Sequence, residues 1–179
     1  AVYYNGFRAG EDVVGPTEAG DAGVPQPAHT HSTSYARKLG IEKMAERCVQ
    51  GRGVMIDLQA NLGAGRQSVG YDKLMRVLEA DKVTVETGDM VCLHTGFADT
   101  LLAMNRAPDL TRLHETGSGL DGWDQKLLNW IVDTRLACLL ADNYAVELIV
   151  PKLASATQSG SPLRRPLMPL HEHCLFKNG

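Results

Sequence analysis

The stretch Gly51-Arg52-Gly53-Val54-Met55-Ile56-Asp57-Leu58 decides the fold. From Val54 to Leu58 it is a short apolar run with one carboxylate, preceded by glycine and followed by Asn61, Gly63 and Gly65. A run of that length between turn residues predicts a buried strand. Met90-Val91-Cys92-Leu93 repeats the pattern after a turn at Gly88 and Asp89, and leads into His94, Thr95 and Gly96. Between the two runs, residues 71–80 place Leu74, Val77 and Leu78 on one helical face and Lys73, Arg76 and Glu79 on the other, which predicts an amphipathic helix. Residues 83–85 read as extended.

Working outward, residues 123–132 predict a second helix that buries Leu127, Leu128, Trp130 and Ile131, and residues 136–141 predict a third strand. Strands alternating with helices at this spacing predict an α/β (or α+β) domain, a mixed sheet with flanking helices. Towards the start, residues 35–49 show partial three- and four-residue spacing through Leu39, Ile41, Met44, Ala45 and Cys48, so a helix is expected there, weakened by Gly40. Residues 6–34, 108–122 and 155–166 read as loop or connector. Residues 169–177 predict a last short helix opened by Pro169, with Asn178 and Gly179 as its stop. No internal repeat is found.

The chain has 179 residues, 44% of them hydrophobic, which suits one domain over 1–179 with a real core. Both ends read as cut: the chain opens on Ala1-Val2-Tyr3-Tyr4 without an initiator Met, and stops at Gly179 just after Leu175 and Phe176; no signal peptide is read at the start. A formal charge of -3 provides no basic field, so no nucleic-acid partner is expected. No membrane partner is expected either, because Asp133 and Arg135 interrupt the most apolar region well short of a bilayer span of roughly 20 residues. Cys48, Cys92, Cys138 and Cys174 form no CxxC pair, which predicts free buried thiols in a reducing cytoplasm.

Six histidines are the first candidates for chemistry: His29, His31, His94, His114, His171 and His173. His29 and His31 form an HxH pair in a Pro-rich segment without a nearby carboxylate, so a solvated loop is expected. His94 ends a strand, where catalytic groups often sit in α/β proteins, although a polar strand end explains it equally well. His114 reads as surface. His171, Glu172 and His173 bring imidazoles and a carboxylate together in sequence. On a helix, positions two apart point to nearly opposite faces. His171 then shares the inward face with Cys174 and Leu175, and His173 lies with Lys177. Among the carboxylates, Asp57 is expected to be buried in its strand and paired with Arg52 or Arg66. Asp142 and Glu147 are a possible pair, with an Asp-Asn turn at Asp142-Asn143 as the alternative. There is no P-loop, GxGxxG or GxSxG.

Four segments in order resemble the cyclase family of metal-dependent hydrolases, which includes kynurenine formamidases and isatin hydrolases. They are the run from Gly51 to Asp57, Thr87-Gly88-Asp89-Met90-Val91-Cys92-Leu93-His94-Thr95-Gly96, Leu140-Ala141-Asp142-Asn143, and Leu170-His171-Glu172-His173-Cys174-Leu175. The resemblance implies a swivelling β/β/α fold, a small-molecule substrate and a homo-oligomer. The activity it implies is hydrolysis of an amide, lactam or lactone of a small carbonyl compound, with a divalent metal, Zn or Mn, as cofactor. A non-catalytic cyclase-like binding domain is the alternative. The family's HxGTHxD motif is absent here and is expected upstream of Ala1; Ala28-His29-Thr30-His31 is not that motif, and His94 stands where the family often has Arg. His171 is the one metal ligand the resemblance assigns. A catalytic zinc normally takes three protein ligands. The 179-residue chain by itself is therefore expected to bind metal weakly and to show no useful turnover.

Overall fold

Parallel pairing of the two glycine-bounded runs organises the larger part of the chain. The computed structural model describes residues 6–15, 34–149 and 168–178, and its contacts divide the chain into two compact units, Ala1–Gln50 and Gly51–Gly179. The expected loop at 155–166 and the histidines His29 and His31 lie outside the described residues.

In the first unit, β1 (Val13–Val14) pairs antiparallel with β2 (Tyr35–Ala36), and α1 spans Glu42–Arg47. The helix expected over 35–49 is thus confined to its second half. Its first residues pair as strand instead, and Leu39 at φ 64, next to Gly40, breaks the path between the two. Cys48 ends α1 in the left-handed region. None of the residues of α1 is buried.

The second unit runs β3 (Gly53–Asp57), α2 (Leu58–Leu62), β4 (Ser68–Val69), α3 (Tyr71–Asp81), β5 (Met90–His94), α4 (Phe97–Ala103), α5 (Leu110–His114), β6 (Gly119–Leu120), α6 (Gln125–Thr134) and β7 (Cys138–Ala141). It closes with α7 (Pro169–His171), which continues as a π-wound turn over Glu172–Lys177. Strands β3, β5 and β7 form a parallel sheet in that order, and β4 and β6 form a separate parallel pair. The α/β class therefore holds, with the parallel and antiparallel ladders in different sheets. Residues 83–85 join no ladder, and the segment expected as loop over 108–122 contains α5 and β6. The signal for α5 was present in Asp109, whose side chain accepts the Arg112 N–H at 3.1 Å as an N-cap.

The run from Val54 to Leu58 reads as a buried strand, and in the structure burial alternates along β3 and along β5. Val54 and Ile56 of β3, and Val91 and Leu93 of β5, are buried; in the core, Ile56, Val91 and Leu93 pack with Leu74, Val77 and Leu78 of α3 and Leu127 and Ile131 of α6. Met55 and Leu140 turn to the other face and are exposed at 59% and 45%. Because side chains alternate along a strand, Asp57 and His94, paired across β3 and β5, fall on the Met55 face and meet at the carboxyl end of the sheet. Asp124 fixes the two core helices at once: it accepts from Lys126 N at 2.9 Å to cap α6 and from Tyr71 N at 2.7 Å at the start of α3. Each cap is worth about 1 kcal/mol. Gly70 is needed at that corner, since a Cβ there would stand 2.5 Å from the Asp124 carboxylate.

Arg52 grips Asp89 with two hydrogen bonds, at 2.8 and 2.7 Å, and the Glu86 N–H donates to the same carboxylate at 2.6 Å. Arg52 is therefore spent on Asp89 and is not the partner of Asp57. The guanidinium, and then the Glu86 N–H, lower the Asp89 pKa from 3.8 to about 2. A carboxylate with a depressed folded-state pKa stabilises the fold above its unfolded value, and that contribution is lost as pH falls through the folded one. Asp89→Asn should consequently lower Tm by several degrees at neutral pH and flatten the loss of stability between pH 3.8 and about 2. An unchanged acid limb in thermal melts across that window would contradict this.

Candidate functional site

Chemistry-bearing side chains collect where β3, β5 and β7 end. Asp57, the last residue of β3, accepts the Ala60 N–H at 2.8 Å and so caps α2, which follows without a turn. The same oxygen lies 3.0 Å from His94 Nδ1, and the far side of the ring, Nε2, faces Asp99 Oδ2 at 3.4 Å. Asp57 is 41% exposed at its side chain, which corrects the expectation of a buried carboxylate paired with Arg52 or Arg66. The abrupt strand-to-helix passage at Leu58 places it at the sheet edge rather than inside.

The Ala60 N–H chiefly, with burial opposing and His94 assisting, lowers the Asp57 pKa. The hydrogen bond to Asp57 raises that of His94 above 6.5, against a smaller effect of burial. Each partner thus favours the charged form of the other. The pair is fully formed above the unfolded carboxylate pKa and below the unfolded imidazole pKa, and its contribution fades as pH rises through the raised His94 value. In an NMR titration the His94 ring protons should show a midpoint above 6.5, and Asp57→Asn should return it towards that ordinary value. A wild-type midpoint at or below 6.5 would contradict the pairing.

Asp142 follows β7 and does not pair with Glu147. Its carboxylate accepts from Thr95 N at 2.6 Å and Ala98 N at 3.2 Å, joining the ends of β5 and β7 to the first turn of α4. Burial would push its pKa up, but these hydrogen bonds outweigh burial and lower it. Asn143 stitches the next turn, donating to Ser118 O at 2.8 Å and accepting from Val146 N at 2.7 Å. The Asp-Asn turn weighed against a pair is therefore what forms.

Glu147 is buried and serves the last helix instead. It accepts from Leu170 N at 3.1 Å, from His171 N at 3.0 Å and from His171 Nδ1 at 2.5 Å. A carboxylate can only accept, so the Nδ1–H of His171 is the donor and Nε2 is the ring nitrogen not engaged by Glu147. Among the described residues Nε2 has no hydrogen-bond partner. Gly122 makes room: a Cβ there would run into Glu147 Oε2 and stand 2.8 Å from Leu170 N. The sequence neighbour Glu172 is not the carboxylate of this histidine, since it pairs with Lys177 at 3.0 Å. His173, expected on the Lys177 side, donates from Nε2 to Leu128 O at 3.0 Å and ties the π turn to α6. Of the residues expected to share the inward face, Cys174 packs on the core and Leu175 is 48% exposed. His171, Cys174 and Leu175 line a small cleft of about 180 Å³ with Leu139, Val146 and Leu170.

On its other side Glu147 lines a larger cleft of about 510 Å³. Its walls include Arg66, Phe97, His114, Asn143 and Tyr144. The cleft opens beyond the ends of β5 and β7, the usual place for ligands in α/β sheets. Arg66, Phe97 and Tyr144 had no motif to mark them, because they come from three separate stretches of the chain. His114, read as surface, is exposed and lines this cleft. No disulfide forms among the described residues: Cys48 is exposed and Cys92, Cys138 and Cys174 are half-buried, which corrects the expectation of buried thiols.

The imidazole of His171 fits a divalent metal as a single ligand. Metal-bound histidines typically hold a carboxylate on the second ring nitrogen, as Glu147 does here. Among the described residues, however, no group of three or more His, Cys, Asp or Glu side chains is arranged to hold a metal ion. They do not make a complete site. No helix is long and apolar enough to cross a membrane among the described residues.

The chain belongs to the putative cyclase family, whose model matches residues 24–148. It is similar to the solved structure of a novel cyclase, at 24% identity and TM-score 0.46, over 54% of this chain and 32% of that one. It is also similar to isatin hydrolase A from Ralstonia solanacearum, at 13% identity and TM-score 0.43, over 69% of this chain and 44% of the other. For isatin hydrolase A from Labrenzia aggregata the values are 10% identity and TM-score 0.43, over 70% and 45%. The chain thus spans between about a third and just under half of these structures. No curated protein matches.

Proposed function

We propose that this chain contributes the substrate cleft and one metal ligand, His171, to a metal-dependent hydrolase that cleaves an amide, lactam or lactone of a small carbonyl compound. The observation that carries this reading is the His171–Glu147 dyad, an imidazole polarised by a buried carboxylate that also forms the wall of the larger cleft. When bound, a divalent ion such as Zn or Mn would supply Lewis acidity and a more acidic water. The chain's own part is to hold His171 Nε2 in one orientation through Glu147, to fix Glu147 through the Leu170 and His171 N–H groups, and to shape the cleft beside them. The described residues contain no group of three or more ligating side chains around His171.

The lack of a three-ligand group among the described residues favours, as a second reading, a cyclase-like binding domain without catalysis. The two readings separate in an assay of the full-length protein against a formylated arylamine, a lactam and a lactone, with Zn or Mn and then with a chelator. Metal-dependent hydrolysis of any of the three supports the hydrolase. Absence of turnover on all three in protein shown to be folded overturns it in favour of the binding domain.

A further inference from the structure

The face of the β3-β5-β7 sheet turned away from α3 and α6 collects sulfur. Strand register puts Met55, Met90, Cys92, Cys138 and Leu140 on it: Met90 stands directly opposite Cys138, and Cys92 lies between Met55 and Leu140. Cys92 and Cys138 are therefore diagonal neighbours on one face of adjacent strands. The Cys92 thiol leans back along β5 and donates to Met90 O at 3.8 Å, which carries its sulfur towards the position opposite Cys138. Both cysteines are free and half-buried, and Met55 and Leu140 beside them are exposed, so the two thiols are reached from this face.

Spacing separates the chemistries open to such a pair. Diagonal neighbours on paired strands lie about 7–8 Å apart at Cα, and a disulfide does not close over more than about 7 Å without backbone movement. One metal ion spans more: with a metal–sulfur bond of about 2.3 Å, two thiolates on a shared ion stand up to about 4.6 Å apart. Structural zinc takes four ligands of Cys, His or carboxylate type, and no group of three or more such side chains is arranged to hold a metal among the described residues. His94, next along the face, is held by Asp57 and Asp99. What surrounds the two thiols is thioether and aliphatic: Met90, Met55 and Leu140. Thiolate with thioether is the donor set that selects soft Cu(I). The Met90 side chain leans over Gly51, its Sδ 4.0 Å from where a Cβ there would stand, and its three rotatable bonds let it swing from there to the thiols.

We infer that Cys92 and Cys138 bind one soft monovalent cation of the Cu(I) type between them on the open face of the sheet, with the Met90 and Met55 thioethers beside it. Binding forms two metal–sulfur bonds and releases both thiol protons to water, leaving a singly negative bis-thiolate complex with no change of oxidation state. Burial, and after it the charge that Cys92 would carry, push the Cys138 thiol up. The ion therefore has to displace the Cys138 proton, and affinity should rise with pH. The site is separate from the His171–Glu147 dyad: Leu139, between Cys138 and Leu140, lines the His171 cleft from the opposite face of β7. Nothing in the inference depends on the hydrolase reading.

The test titrates Cu(I) anaerobically into the full-length protein against bicinchoninate, a competing Cu(I) chelator, and maps thiol alkylation by iodoacetamide with mass spectrometry. The wild type is expected to hold a single equivalent against the chelator and to show Cu(I)-dependent protection of Cys92 and Cys138, with the exposed Cys48 alkylated throughout. Cys92→Ser and Cys138→Ser should each lose that equivalent, because one thiol alone does not compete, whereas His171→Ala should keep it. The protection measurement needs no variant, so it decides the assignment even where a serine substitution unfolds the sheet. No chelator-resistant Cu(I) in the wild type, alkylation of either thiol unslowed by Cu(I), or an equivalent that survives Cys92→Ser or Cys138→Ser in folded protein would each overturn it.

Discussion

Glu147→Ala is expected to be the most destabilising single change near the site. The substitution strands the Leu170 and His171 N–H groups in a buried corner and removes the hydrogen bond to the imidazole. An unsatisfied buried donor costs roughly 1–3 kcal/mol, so a loss on the order of 3 kcal/mol is expected. In urea unfolding this should appear as a large fall in midpoint at unchanged slope. Gly122→Ala should produce a comparable loss by a different route, since its methyl group would press on Glu147 and on the Leu170 backbone. Glu147→Gln, which retains length and one carbonyl acceptor, should lose less. A Glu147→Ala midpoint indistinguishable from wild type would show that the last helix is not held by this carboxylate.

His171→Ala is expected to have the largest effect on activity, a fall in turnover of about 100-fold or more per folded molecule in the full-length protein. His171 does not line the larger cleft, so that cleft should survive in this variant while hydrolysis is lost. His173→Ala should behave in the opposite way. Its ring bonds only to Leu128 O, so it should lower stability by about 1 kcal/mol and leave turnover per folded molecule nearly unchanged. Turnover lost with His173→Ala and retained with His171→Ala would reverse the assignment.

Much of the fold was legible because burial and turn chemistry agree locally. The three strands of the main sheet and helices α3 and α6 follow from apolar runs between glycines and from residues such as Leu74, Val77 and Leu78 on one face. Several details were not legible, for physical reasons. A run such as Val54-Met55-Ile56 reads as wholly buried, since composition does not say that one face of a sheet stays open. Residues 35–49 have helical spacing, but pairing with Val13 and Val14 takes over the first part.

The site was legible only where its residues are neighbours in sequence. His171 stood out in the Leu170-His171-Glu172-His173 context, where a carboxylate is its neighbour in sequence. The actual partner, Glu147, is 24 residues away, and the two meet beside Gly122, where a Cβ would not fit. Asp57 and His94 are likewise joined by strand register, and their separation of 37 residues carries no motif. The larger cleft draws on Arg66, on Phe97 at the start of α4 and on Asn143 and Tyr144 after β7, which no motif links.

The most direct measurement is the affinity of the full-length protein for zinc, by titration against a competing chelator, in wild type, His171→Ala, Glu147→Gln and His173→Ala. The hydrolase account predicts that His171→Ala loses tight binding, that Glu147→Gln weakens it about 10- to 100-fold while remaining folded, and that His173→Ala binds as wild type does. Wild-type affinity retained in His171→Ala would contradict it.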